Sequence, residues 1–161
     1  ADAGGDDRSK RAAVETLRSL LHDEIERALH PTHWIAQEAC AALVALGRSL
    51  DDPGLLSRYS LQLLMVREET LALGTPHLAS LYATHASASF RLLGEKRVPP
   101  HKIDELHCQA AAALDAARRI RTICFGATHP LTEATARAAA KASEGLEASA
   151  SRSMTGLDLR C

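Results

Sequence analysis

Apolar residues return every three or four positions along most of the chain, a period that predicts six helices. Val14, Leu17, Leu21, Ile25 and Leu29 set the first, at about 9–29. Ile35, Ala39, Leu43 and Leu46 set the second, about 33–47. It is expected to stop at Gly47, since glycine takes the left-handed cap conformation without steric cost. After the turn DDPG (51–54), a third helix over about 54–73 carries Leu56, Tyr59, Leu63, Val66 and Leu73 on one stripe and Leu61, Leu64 and Leu71 on another. Apolar on two sides, it belongs at the centre. The fourth, about 76–93, aligns Leu78, Leu81, His85, Ala88 and Leu92 before Gly94. Beyond the polar loop EKRVPPHK, the fifth (about 101–124) repeats Ile103, Leu106, Ala110, Ala113, Ala117, Ile120 and Cys124, whose alanines let a neighbour approach closely. The sixth, about 130–147, opens at Pro130, where a missing N–H costs no intrahelical bond, and its stripe is weak and alanine-rich. Residues 1–8 read as a flexible start and 148–161 as an unpacked tail.

The junctions between these helices repeat. Ala28-Leu29-His30-Pro31-Thr32-His33, Ala72-Leu73-Gly74-Thr75-Pro76-His77 and Cys124-Phe125-Gly126-Ala127-Thr128-His129 each close one helix and open another. His33, His77 and His129 take equivalent places, as do Gly74 and Gly126, and Leu43-Val44-Ala45-Leu46-Gly47 pairs with Phe90-Arg91-Leu92-Leu93-Gly94. A unit of two helices cannot bury its apolar face alone, so successive pairs must stack. The expected fold is all-α, a tetratricopeptide-like right-handed array of antiparallel helix pairs, about five to seven helices in one domain over 9–147, with helices 33–47, 76–93 and 130–147 lining a concave side. Leu63 and Leu106 are expected to be buried between pairs, and the junction histidines to hydrogen-bond the otherwise unpaired N–H groups of the next helix.

Composition narrows the function. Within 161 residues, apolar content is 46% but aromatics only 3%, which favours helix over sheet. Lys plus Arg is 19 against 20 for Asp plus Glu, a balance that gives no electrostatic footprint for nucleic acid or an anionic membrane. No apolar run approaches a bilayer-spanning length, and the opening ADAGGDDRSKR lacks a signal-peptide core, so a soluble chain is expected. Cys40, Cys108, Cys124 and Cys161 stand far apart, as suits thiols of a reducing compartment, cytoplasmic or nuclear.

The stretch Leu29–Ala140 resembles the helical, tetratricopeptide-like C-terminal domain of the SET- and MYND-domain lysine methyltransferases. Ala39–Gly47, then DDPGLLSRYSLQLLMVREETLALG and TPHLAS, is similar to that family's order of helix, short turn, long helix, junction histidine and next helix. AAALDAARRIRTICFGATHP resembles its last helix pair. Kinesin light chains carry a similar Leu-Gly-x-x-His-Pro junction, but their repeats resemble one another in paired asparagines, and this chain contains no asparagine. The same absence removes the Asn-His pair of a SET site, and the clustered zinc cysteines of a MYND module are also missing. The resemblance therefore implies an accessory domain that shapes substrate or partner access. Its parent polypeptide would be a protein-lysine methyltransferase, while this chain alone would bind no cofactor and catalyse nothing. The alternative is a stand-alone scaffold subunit of a larger assembly.

No catalytic constellation stands out from the residues themselves. His101, Asp104 and Cys108 share a helical face and are of zinc-ligating type, but a fourth ligand is missing and Asp104 reads better as a solvated residue. The expected partner is a protein, a peptide or another domain of the same polypeptide, with no nucleic acid and no membrane. The expected recognition face is Tyr82, His85 and Ser89 on the fourth helix, with Arg118 and Arg121 as auxiliary charges. A rival reading packs Tyr82 and His85 inside, on the stripe of Leu78, Leu81 and Leu92.

Overall fold

The computed structural model describes residues 3–30, 32–70 and 74–155, and every regular element within them is helical. Helix α1 (Ala3–Ser19) passes through a π-helical stretch (Leu20–Ile25) into a last turn, α2 (Glu26–Ala28). Then come α3 (Trp34–Ser49), α4 (Pro53–Thr70), α5 (Pro76–Gly94), α6 (Ile103–Phe125, entered through a 3-10 turn at Pro100–Lys102) and α7 (Pro130–Thr155). From α3 onward each helix packs on its sequence neighbours, and α1 and the π-helical stretch lean on α3.

The apolar period misses the two ends. Helix α1 begins at Ala3 rather than near 9, and within it Lys10 pairs with Asp6 one turn earlier. Helix α7 runs past 147 to Thr155, while 156–161 lie outside the described residues. Inside the first helix, Val14 and Leu21 are buried as the stripe requires. The π-helical turn then shifts the register of the turns after it, a change that a 3.6-residue period does not contain.

Two cores result. The larger gathers Leu21, Leu43, Leu63, Leu64, Leu78 and Leu81 around Tyr59, whose side chain is wholly enclosed, at the meeting of the first helix with α3, α4 and α5. The smaller, between α5, α6 and α7, consists of Ala86, Ala110, Ala113, Leu114 and Ala142. Leu63 is buried as expected. Leu106 is only half-buried, because the buried side of α6 starts at Ala110 and the turns before it stand at the core's margin. Helix α4 lies between α3 and α5, but its second stripe is only partly covered: Leu64 is buried, Leu61 faces solvent, and Leu71, like Leu73 of the first stripe, falls outside the described residues.

The helix ends follow cap chemistry more closely than the histidine repeat. His33 caps α3, its Nδ1 accepting from the Ile35 N–H at 3.3 Å, and the His129 Nδ1 accepts from the Leu131 N–H at 3.2 Å at the start of α7. At α5 the cap is Thr75, whose hydroxyl accepts from the Leu78 N–H at 3.3 Å. His77 therefore sits inside the first turn and faces solvent, which corrects its reading as a capping residue. Gly74 and Gly126 adopt φ of 118° and 91°, the left-handed region where glycine avoids a Cβ penalty. Gly47 does not end its helix. It is buried in the last turn of α3, where an added Cβ would stand 3.1 Å from the Leu55 Cβ, so it serves the close approach of α3 to α4. The left-handed position that closes α3 falls to Asp51 (φ 51°) and the one that closes α5 to Lys96 (φ 55°). Each carries paired return hydrogen bonds, Asp52 N–H to Gly47 O with Asp51 N–H to Arg48 O, and Arg97 N–H to Leu92 O with Lys96 N–H to Leu93 O.

Candidate functional site

Helix α5 is packed on both long sides, by α4 and α6, and its sequence sorts into a core face and a solvent face. His85 and Ser89 are on the core face, 2% and 0% exposed, which corrects their expected role in recognition. Their polar atoms are absorbed internally: the Ser89 hydroxyl bonds that of Ser57 at 2.9 Å, and the His85 Nδ1 lies 2.9 Å from the Ser57 carbonyl. Because a carbonyl only accepts, Nδ1 carries the proton, and the buried Nε2 keeps a lone pair without a partner. Burial holds His85 below the ordinary imidazole value, its bond to Ser57 opposing this in part. Tyr82 is half-buried against both cores and donates its hydroxyl to the Glu68 carboxylate of α4. Burial first, then that bond and the Glu68 charge, push its pKa up to about 12. These three residues are the internal seam of the molecule.

The solvent face of α5 holds Ser80, Ala83, Thr84, Ser87 and Arg91, at steps of three and four on one stripe. Together with Arg48 of α3 and Arg121 of α6 they line a trough of about 380 Å³. Ser80 to Arg91 spans about 16 Å of helix, enough for roughly five extended residues of another chain. The Arg48 guanidinium donates to the Thr84 hydroxyl at 2.9 Å, and Arg121 donates to the Thr135 hydroxyl and, at 3.4 Å, to the Leu131 carbonyl. Among the described residues neither forms an ion pair, and no acidic side chain lines the trough. Arg91 differs: Asp51, at the turn between α3 and α4, accepts from it at 2.6 and 3.1 Å. At the start of α5, slight burial and then the Arg67 and Arg48 charges hold His77 below its ordinary pKa.

Of the five residues expected to meet a partner, Arg121 alone lines this trough. Arg118 bonds Asp115 at 2.7 and 3.2 Å and shares that carboxylate with Arg119, so its charge is answered on its own helix. The trough residues missed by the sequence reading were visible there: Ser80, Thr84, Ser87 and Arg91 form the polar stripe opposite Leu78, His85 and Ser89. His101, Asp104 and Cys108 are all exposed, and no group of three or more metal-ligating side chains converges among the described residues. No helix of the described residues is long and apolar enough to cross a membrane. No protein-family model, curated protein or solved structure matches the chain.

Proposed function

We propose that this chain is a non-catalytic helical-repeat module that binds an acidic peptide segment of a protein partner along the α5 trough. The observation that carries the reading is the pair Arg48 and Arg121, two guanidiniums on one groove whose bonds among the described residues go to neutral oxygens. A guanidinium forks onto carboxylates more strongly than onto hydroxyls, so an incoming acidic chain would replace weak acceptors with strong ones. Tetratricopeptide-like stacking of helix pairs is part of this proposal, and two contacts support it. The Cys124 thiol of the α6–α7 junction donates to the Gly74 carbonyl of the α4–α5 junction at one end of the molecule, and Arg91 clasps Asp51 at the other, so successive helix pairs are tied at both ends. In this reading α3, α5 and α7 are the inner helices. The resemblance to the SET- and MYND-domain methyltransferases makes another domain of such a polypeptide the partner we favour, with a separate assembly subunit as the alternative. Fluorescence anisotropy with a labelled glutamate/serine peptide and a lysine/serine counterpart tests it. The acidic peptide should bind selectively and weaken as salt rises. Equal binding of both peptides, or of neither, would overturn the reading.

A further inference from the structure

The basic trough continues into an apolar one. Ser87 and Arg91 line both the trough and a second cleft, and Phe90, Leu114 and Ala138 of that cleft also line a third, of about 330 Å³, bounded by His107, Lys141 and Ala142. A single path therefore runs across α5 from Arg48 to the seam between α6 and α7. Its far end owes its space to small side chains: Ala138 and Ala142 of α7 present only methyl groups, leaving Phe90 and Leu114 as an apolar floor. The His107 ring stands edge-on to Phe90 at 5.4 Å and closes one wall. Lys141 stands at the rim, exposed, and forms no ion pair among the described residues. Among the described residues no carboxylate lines any part of the path.

We infer that this end is a specificity pocket for one aliphatic or aromatic side chain of the same acidic peptide, with a carboxylate beside that side chain meeting Lys141. The inference rests on the trough being a peptide site, and it adds what composition alone would not select, an apolar anchor at a fixed distance from the acidic run. The cations that rim the path are complementary to that peptide and to no basic one.

The probes are fluorescein-labelled glutamate/serine peptides in which a single leucine occupies each position in turn, beside the peptide with no leucine. For the intact chain, at least one leucine position should bind about tenfold or more tighter than the leucine-free peptide, since burying one leucine is worth that much. Ala138→Phe, at an exposed position, fills the pocket from its mouth and should abolish this preference. Circular dichroism must show the variant folded; Lys141→Glu provides a second variant away from the core and should reduce the preference severalfold. If the leucine-free peptide binds but no leucine position improves on it, the pocket inference falls and the trough reading stands. If no peptide binds at all, both fall. A preference that survives Ala138→Phe and Lys141→Glu alike places the anchor elsewhere and also overturns the inference.

Discussion

Leu78 and Ala110 are both wholly enclosed, but they hold their helices by different means. Around Leu78, in the core shared by α3, α4 and α5, branched side chains and Tyr59 remove a large apolar area from water, at about 25 cal/mol per Å². Around Ala110, methyl groups of α5, α6 and α7 bring backbones close and bury much less. The second arrangement leaves an open floor at Phe90 and Leu114, where the proposed recognition path ends. The thinner core is thus expected to be the less stable region, and its open side is apolar where the trough beside the larger core is basic.

The sharpest way to break this comparison is truncation on each side. Leu78→Ala should cost about 3–5 kcal/mol, because an enclosed site cannot collapse around the loss. Leu114→Ala should cost about 2 kcal/mol, since its surroundings already open to solvent and little cavity is created. Urea titrations giving equal losses would remove the distinction between the cores.

A weaker effect is expected from pH. His85 sits beneath the first core with its Nε2 unpartnered, and its folded pKa lies below the ordinary 6.5. Below that value the unfolded chain binds more protons than the folded one, so stability should decline as pH drops through 6.5. In His85→Gln, whose amide still donates to Ser57, the melting temperature should fall less between pH 7 and 5 than in the parent. Parallel declines would return His85 to an inert packing role.

Smallest is the backbone term at the helix ends. Lys96 is exposed and left-handed, so Lys96→Gly should stabilise by about 1 kcal/mol. Asp51→Gly relieves the same backbone but loses the clasp to Arg91, and should gain less. Thermal melts of the two variants that rank in the opposite order would show the clasp to contribute nothing.

These residues also show what the sequence could convey. The starts of α5 and α7 were legible because Thr75-Pro76 and Pro130 act within one turn of chain. Gly47 was not, because glycine serves equally as a helix stop and as a close contact, and only the position of Leu55 decides. The inward turn of His85 and Ser89 was half-legible: the leucine stripe pointed to it, but the hydroxyl and imidazole looked like surface chemistry until Ser57 supplied partners from 32 and 28 residues away. The trough required Arg48 and Arg121 to meet across α5, a distance along the chain that no local pattern reports.

The most direct test of the binding surface compares two charge reversals of equal size. The labelled glutamate/serine peptide is titrated against the parent, Arg48→Glu/Arg121→Glu and Arg8→Glu/Arg11→Glu, the last pair lying exposed on α1, with circular dichroism confirming that each is folded and Arg48→Glu alone held as a milder variant. The trough reversal should weaken binding about tenfold or more and the α1 reversal about twofold or less. Equal weakening by both, or none by the trough variants, would contradict recognition along α5.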